Sequence, residues 1–344
     1  CPKLLFGVFY CYNLIIFESM ELEINLNFED KRILVIGDII LDKFVYAEYA
    51  KMSPEYAEVP VLKVEKCSYC LGGAANVASN IKTMGATPYL VGIVGQTYEP
   101  EFKNIETLMK ISSINTNYLV NTSISTIVKT RIFNAGLPMC RLDRETEQEP
   151  KDKVNIEILN KINEVIEQHQ PHAIILQDYN KGVLNPDSIP KILHIAKINN
   201  IPVFVDPKYA NWELYKKVDF FKPNAIEFDA MTHLLKIDEL SIEEQLLYLK
   251  NYLQVENLFI TLGKDGSISM NEQNKIHRQA IHQSIEKVDV CGAGDSVIAM
   301  LCLSNLSNNS MQAIAYLSNL AGYIACSHAH IYAVKFEDIT KLLK

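Results

Sequence analysis

Short apolar runs alternate with amphipathic segments along most of the chain. Residues 32–37 form an apolar run that ends at Gly37 and Asp38, which is typical of a buried strand with polar groups at its carboxyl end. Further strands are predicted at residues 86–95, 173–177, 202–206, 220–222, 257–261 and 267–270, and helices at 154–168, 190–199, 225–235, 242–254, 293–306 and 310–325. This alternation predicts an α/β fold with a doubly wound, mostly parallel sheet between helices.

Two early strands interrupt this alternation. Residues 44–49 and 59–65 have strand character and are separated by Ser53-Pro54-Glu55. Further strands are predicted at 118–121, 125–135 and 138–142. We therefore expect one domain over residues 30–344, with a small lid of β-strands near residues 43–65.

The first 29 residues are predicted to be an extension that is disordered or not native. Their apolar stretch, residues 4–17, is too short to span a bilayer. A single lysine precedes it and no small-residue cleavage site follows, so it makes a weak signal peptide, and a signal anchor is the less favoured interpretation. Met20 is the expected natural start.

Composition narrows the class of protein. The 344 residues are 48% hydrophobic and 22% charged, which excludes a disordered chain and a fibre. A formal net charge of −8 argues against a nucleic-acid partner. The eight cysteines are scattered, several within apolar runs, which is typical of a reduced cytoplasmic protein. No membrane partner is expected. Cys67 and Cys70 form one CxxC, and without a second ligand pair they indicate packing rather than zinc.

The most informative motif is Gly292-Ala293-Gly294-Asp295 at the start of an apolar helix. Small residues there let backbone N–H groups approach an anion closely, and the helix dipole adds positive potential. An aspartate in that turn can take a proton from a hydroxyl nucleophile while the amides hold phosphoryl charge. A plain glycine turn followed by a helix cap would give the same pattern, and this interpretation has about the same weight as the phosphate-binding one.

Two other nucleotide motifs fit poorly. A Rossmann site needs GxGxxG near the first strand, whereas this motif lies late in the chain and has Val297 at the third position. The P-loop pattern GxxxxGK[ST] is absent from the sequence.

Three more segments carry candidate chemistry. Gly72-Gly73 with Asn76 allows close approach to a ligand and a bond to sugar hydroxyls, or simply a tight helix start. Asn224 and Glu227 share a helix face and suit Mg²⁺ held through water, or form an N-cap with a first-turn glutamate. The third segment, residues 261–266, is by itself only a glycine hairpin.

In this order, the segments resemble the ribokinase-like (PfkB) carbohydrate kinases over about residues 31–341. The finer resemblance is to the bacterial D-glycero-D-manno-heptose 7-phosphate kinases, the first domain of the bifunctional ADP-heptose enzymes. It rests on further motifs: residues 37–44, 53–55, 59–61, 72–80, Arg141-Leu142-Asp143, residues 178–182 and Asp206-Pro207-Lys208. This combination is much more specific than the GAGD motif alone.

The resemblance implies a site and a reaction. Asp295 would be the catalytic base and loop 292–294, with Gly292, Ala293 and Gly294, the anion hole. A sugar phosphate also needs cations in an acidic protein, and arginine suits phosphate best. The expected sugar-binding residues are Asp38, Asp42, Gly72, Gly73, Asn76, Asn80, Lys129, Arg131, Arg141 and Lys181. The expected nucleotide-binding residues are Lys208, Asn224, Glu227, Thr261, Gly263, Gly266 and Asn319.

The implied cofactors are ATP and Mg²⁺, with a monovalent cation left open, and the implied assembly is a lid-mediated homodimer. The expected reaction is phosphorylation of O1 of the heptose 7-phosphate. The alternatives are a PfkB-type kinase of another sugar or sugar phosphate, and a non-catalytic sugar or nucleotide sensor. A Rossmann oxidoreductase is a distant fourth.

Three segments depart from the family pattern. Residues 96–99 replace an expected aspartate and glycine, residues 53–58 carry an extra residue, and His328-Ala329-His330 stands where a Gly-Thr is expected. The two histidines are interpreted as loop residues rather than ligands. These departures affect the expected register of the lid strands and the expected affinity for the nucleotide more than they affect the expected phosphoryl transfer.

Overall fold

The computed structural model describes residues 22–56, 58–145, 152–283 and 289–343. Within these ranges the main sheet has nine strands. They are β1 (Arg32–Gly37), β4 (Thr87–Val94), β5 (Leu119–Asn121), β8 (Ala173–Gln177), β9 (Val203–Asp206), β10 (Phe220–Phe221), β11 (Asn257–Thr261), β12 (Ser267–Met270) and β13 (Ile276–Gln279). Their spatial order is β13-β12-β11-β10-β9-β8-β1-β4-β5. All neighbours are parallel except β11–β12 and β12–β13, which confirms the mostly parallel sheet.

Helices cover both faces of this sheet. One face packs on α1 (Ala74–Thr83), α2 (Pro100–Ile111), α7 (Ala293–Leu306), α8 (Met311–Cys326) and α9 (Phe336–Leu342). The other packs on α3 (Asp152–His169), α4 (Ser188–Ile198), α5 (Ala225–Leu234) and α6 (Ile242–Leu253). Successive residues of a strand point to opposite faces, so Ile33 and Val35 enter the first core and Leu34 and Ile36 the second. A strand buried on both sides is apolar at every position, which explains the unbroken run in the sequence.

The lid is a separate four-stranded sheet in the described part of the chain. Its strands are β2 (Ile39–Met52), β3 (Pro60–Gly73), β6 (Ile127–Asn134) and β7 (Leu137–Arg144), in the order β3-β2-β6-β7. The sequence placed the lid only near residues 43–65, so the observed lid begins earlier and recruits two later strands. The β2–β3 register shifts at Tyr46/Ala47 and at Tyr49/Lys51, on the approach to the departing segment 53–58, in which residue 57 lies outside the described residues.

Residues 22–29 belong to the packed domain, although the sequence assigned them to the extension. Phe28 is buried and its ring meets Phe336 edge-on at 6.2 Å. Asn25 Nδ2 donates to the Ser307 carbonyl at 3.0 Å. The rest of the predicted extension, residues 1–21 with Met20, lies outside the described residues.

Short elements were harder to predict than long ones. Strand β13 and helix α9 were not predicted, because four and seven residues carry too little periodicity. Among the described helices, none combines the length and apolar character that a bilayer crossing requires.

Candidate active site

Asp295 lies in the first turn of α7, at the carboxyl edge of the sheet, and is buried. Two side chains from distant parts of the chain bond its carboxylate. Asn76 Nδ2 donates to Oδ2 at 2.7 Å, and the Tyr179 hydroxyl donates to Oδ1 at 2.9 Å. These donors fix the direction in which the carboxylate points.

Burial raises the pKa of Asp295 to about 7, with a contribution from the charge of Asp206, while the bonds from Asn76 and Tyr179 oppose the rise. A carboxyl with this pKa is ionised in part near neutrality and also binds a proton readily there. That is the property required of a general base acting on a hydroxyl group.

The loop before α7 is shaped by two glycines. Gly292 is the N-cap with φ +77°, and a Cβ on it would lie 2.6 Å from Asn76 Nδ2. A Cβ on Gly294 would lie 3.6 Å from Asp206 Oδ2, so Gly294 sits directly over a polar cluster. The start of a 14-residue helix makes loop 292–294 suitable for an anion, although the Ala293 N–H donates to the Val290 carbonyl at 3.3 Å.

A small cleft opens above Asp295. Two cations, Lys129 and Arg131 of β6, line it opposite the helix start. Lys129 Nζ lies 5.5 Å from the centre of the Tyr179 ring. The full lining is Ile40, Asp42, Gly73, Lys129, Arg131, Tyr179, Cys291, Gly292, Asp295 and Ile331. The lid and the main domain therefore share one cleft that combines a buried carboxyl group, the start of a helix and two cations.

Asp42 and Arg131 form an ion pair at the lid side of the cleft. Burial raises the pKa of Asp42, and the Arg131 guanidinium opposes that rise. Gly72 on β3 makes the pair possible, because a Cβ there would lie 2.0 Å from Asp42 Oδ2. Gly72 thus acts through packing, while Asp42 and Arg131 face the cleft.

Asp38 is placed differently from Asp42. Its carboxylate accepts backbone N–H bonds from Tyr179 and Lys181 at 3.0 Å and from Val183 at 3.2 Å. Burial raises its pKa to about 6, the charge of Asp178 adds to the rise, and these three donors oppose it. Asp38 is therefore already bonded to the loop that carries Tyr179.

Gly73 and Asn80 also support the site from below. Gly73 has φ +58°, and a Cβ on it would lie 2.3 Å from the Asp38 carbonyl oxygen. Asn80 is buried and donates to the Asn76 carbonyl at 2.9 Å, and its Oδ1 accepts from the Val334 N–H at 2.9 Å. Asn80 thus holds the helix turn that presents Asn76.

Two of the predicted cations lie away from the cleft. Arg141 on β7 is 57% exposed and pairs with Asp143 at 2.9 Å. Lys181 pairs with Glu145 at 2.7 Å and lines a second hollow, beside Asp38. The structure brings Lys129 and Arg131 into the cleft and places Arg141 and Lys181, which the sequence also predicted to bind the sugar phosphate, outside it.

The predicted magnesium pair forms the cap of α5. Asn224 Oδ1 accepts from the Glu227 N–H at 2.9 Å, and Glu227 Oε2 accepts from the Asn224 N–H at 3.0 Å. Glu227 Oε1 accepts from Lys208 Nζ at 2.8 Å. A directly bound ion would have to displace Lys208, so the pair is compatible with magnesium only through water. The described residues contain no group of three or more acidic, histidine or cysteine side chains that could hold a metal.

The other nucleotide-binding candidates line the same edge of the sheet. Thr261 ends β11 and forms a β-bridge with Asn224. Gly263 and Gly266 bound the turn from β11 to β12, with φ +58° and +88°. Asn319 of α8 donates to the Gln279 carbonyl at 2.8 Å, which a Cβ on Gly266 would approach to 2.0 Å. These contacts hold α8 and the β11–β12 turn against the end of β13.

A model of the pfkB family of carbohydrate kinases matches residues 30–334. The chain belongs to this family. It is therefore a carbohydrate kinase, an enzyme class that implies a sugar acceptor and ATP, typically with Mg²⁺. The predicted fold and enzyme class are confirmed.

Curated relatives and solved structures agree with this placement. The "Bifunctional protein HldE" of Helicobacter pylori strain G27 is 32% identical over 314 residues, which cover 91% of this chain and 66% of the relative. The protein of that name from Psychromonas ingrahamii is 34% identical over 296 residues, covering 86% and 60%. The chain thus spans just under two thirds of these relatives.

Two structures show the likeness of fold. Phosphofructokinase-2 from Escherichia coli, in complex with substrates and products, has a TM-score of 0.74 at 15% identity and covers 91% of this chain and 98% of that one. Ribokinase from Arabidopsis thaliana, complexed with ribose and ATP, has a TM-score of 0.68 at 18% identity and covers 92% and 99%.

Sequence reasoning assigned no role in the site to three residues that shape it, Tyr179, Lys222 and Asp206. Tyr179 was quoted within a motif but not assigned to the site, and only the fold reveals its bond to Asp295. Lys222 is buried and pairs with Asp206 at 2.9 Å beneath Gly294. A lysine at the end of the predicted strand 220–222, within Lys222-Pro223-Asn224, was the available signal.

Proposed function

We propose that this kinase transfers the γ-phosphoryl group of ATP to O1 of D-glycero-D-manno-heptose 7-phosphate, giving the 1,7-bisphosphate used in ADP-heptose biosynthesis. The motifs that resemble heptose 7-phosphate kinases support the substrate. So do relatives named HldE at 31–34% identity. A location in the cytoplasm and a homodimer formed through the lid are part of the same proposal.

The observation that carries the proposal is the pairing of a buried base with two cations in one cleft. Lys129 and Arg131 bring two cations to a cleft whose lining also contains the carboxyl groups of Asp42, the partner of Arg131, and Asp295. Arginine and lysine bind phosphate through charge-assisted hydrogen bonds, so these two cations suit an acceptor that is already phosphorylated. A neutral sugar would not require them.

The reaction follows from the positions of the groups. The acceptor hydroxyl lies against Asp295, which takes its proton as the oxygen attacks the γ-phosphorus. The bond from the γ-phosphorus to the bridging oxygen breaks, and ADP leaves with that oxygen. The amides of loop 292–294 bond the equatorial oxygens, where charge is spread in the transition state. Asn76 and Tyr179 hold the carboxylate in line.

Magnesium, when bound with the nucleotide, neutralises phosphate charge. Asn224 and Glu227 would hold it through water. The proposal leaves open whether the kinase requires a monovalent cation. Such a requirement would agree with the phosphofructokinase-2 structure in complex with potassium.

The deciding experiment is ADP release with Mg-ATP and D-glycero-D-manno-heptose 7-phosphate, beside a panel of other sugars and Asp295→Ala. The proposal predicts turnover on the heptose phosphate and its collapse in the variant. Turnover only on another phosphorylated sugar, such as fructose 6-phosphate, would refute the heptose assignment and keep the mechanism. Binding of sugar and ATP without turnover would instead favour a sensor.

A further inference from the structure

His330 adopts a backbone conformation that side chains other than glycine rarely take. Its φ is +66°, in the left-handed region. The other described non-glycine residues with positive φ include helix ends and turns such as Gln254 and Asn308, where little constrains the side chain. The His330 side chain, in contrast, is only 26% exposed. A strained conformation with a packed side chain points to a role that offsets the strain.

The ring of His330 is inserted among aromatic side chains of the lid. Its centre lies 4.2 Å from that of Phe44 and 5.6 Å from that of Tyr46 on β2, and 6.0 Å from that of Phe133 on β6. Its Nε2 is hydrogen-bonded to the Tyr46 hydroxyl. One residue of the main domain therefore contacts both central strands of the lid.

The backbone of His330 is attached to the loop that leads to the anion hole. Its N–H donates to Asp289 Oδ2 at 2.8 Å. The other oxygen of Asp289 accepts from the Cys291 N–H at 3.1 Å, one residue before Gly292. His330 thus connects the lid to loop 292–294 through a single carboxylate.

The same contacts reach a cation of the cleft. The Arg131 guanidinium lies 5.4 Å from the centre of the Phe44 ring. Phe44 therefore contacts both His330 and Arg131, so the position of the histidine ring bears on where Arg131 is held.

We propose that His330 is a positioning residue, which aligns lid strands β2 and β6 with loop 292–294 so that Arg131 and Asp295 face the same acceptor sugar. The inference rests on sugar-kinase activity but not on the heptose assignment. It also gives a reason for a histidine in this loop, which the sequence treated as a plain loop residue.

The test separates the ring from the backbone. His330→Asn tolerates a positive φ but removes the ring, and Tyr46→Phe removes only the hydroxyl. His328→Ala is the matched control, because that ring stacks on Tyr332 at 3.7 Å, away from the lid. Hydrogen exchange should be about threefold faster or more in lid peptides 40–47 and 127–134 of His330→Asn, with β8 unchanged. Tyr46→Phe should show a smaller effect in the same peptides.

Kinetics on the best acceptor of the sugar panel supply the second measurement. His330→Asn should raise KM for the sugar about fivefold or more while KM for ATP stays within about twofold. Unchanged lid exchange would overturn the proposal, and so would faster exchange throughout the protein. If the wild-type enzyme turns over none of the sugars, the exchange experiment decides alone, so the two proposals fail separately.

Discussion

Replacing Tyr179 by phenylalanine removes one hydroxyl from the reaction centre and keeps the aromatic ring over which Lys129 lies. That hydroxyl donates to Asp295 Oδ1 at 2.9 Å and opposes the effect of burial on the carboxyl. We therefore expect the pKa of Asp295 to rise above its value of about 7 in the variant. At neutral pH, a larger share of the base would then carry a proton and be inactive.

The size of this change in the pKa of Asp295 follows from the free energy of the hydrogen bond that is lost. A hydrogen bond to a charged group contributes roughly 1.5–3 kcal/mol. One pKa unit corresponds to about 1.4 kcal/mol. Because the hydroxyl can also bond the protonated acid, we expect a net shift of about one unit. The ionised fraction at pH 7 would fall from about one half to about one tenth, so kcat/KM should fall about fivefold there and recover by about pH 9.

The assay is the pH profile of kcat/KM for ADP release, measured for wild type and Tyr179→Phe. Tyr215→Phe is the matched control, since its hydroxyl bonds Asp178 at 2.7 Å and not Asp295. A sugar phosphate itself titrates near pH 6, at about the value of other phosphate monoesters, but that titration cannot move with the enzyme variant. Superimposable acid limbs for wild type and Tyr179→Phe would refute the assignment of Asp295 as the titrating base.

Three further predictions concern the same cleft. Arg131→Ala should raise KM for the phosphorylated acceptor by about tenfold or more, whereas the exposed Arg141→Ala should change it by less than about threefold; equal effects in steady-state kinetics would contradict this assignment. Gly292→Ala would place a Cβ 2.6 Å from the side-chain nitrogen Nδ2 of Asn76. This variant should lose about a hundredfold in kcat and melt at a lower temperature than wild type. Gly294→Ala meets nothing closer than 3.6 Å and should melt like wild type in a calorimetric scan. Asp295→Asn should stabilise the free enzyme at pH 8 by up to several degrees in Tm. Because the folded-state pKa of about 7 lies above the unfolded value of 3.8, the gain is complete above about pH 7 and should vanish as pH falls toward 4. A gain that does not depend on pH would rule out this cause.

The main sheet could be predicted because its strands are buried on both faces. Each of β1, β8 and β9 then reads as an apolar run that ends at a polar residue, and the helices between them keep a regular period. The lid lacks this pattern. All eight residues of β7 are exposed, and only pairing with β6 identifies it as part of the lid.

The site was predictable only in part. The motif and the resemblance led to Asp295 and Gly292, because their spacing is local. The bond from Tyr179 joins residues 116 positions apart. Arg131 and Arg141 share one face of the lid, but Arg131 lies on an inner strand and lines the cleft, whereas Arg141 lies exposed on the edge strand. Arg131 on β6 and Arg141 on β7 are direct cross-strand partners. Two arginines have the same chemistry, so the sequence could not show which of them lines the cleft.

Two of the connections between the lid and the main domain are very short in the described part of the chain. A single residue, Asp38, separates β1 from β2, and β3 runs directly into α1 at Gly73. Such short connections leave the sheet free to turn about its base but not to slide. Strand β2 has 14 residues and would span roughly 45 Å, so a turn of about 10° at Asp38 would carry its far end by roughly 8 Å. The lid would then rotate about Asp38, whose carboxylate also accepts hydrogen bonds from the loop that carries Tyr179.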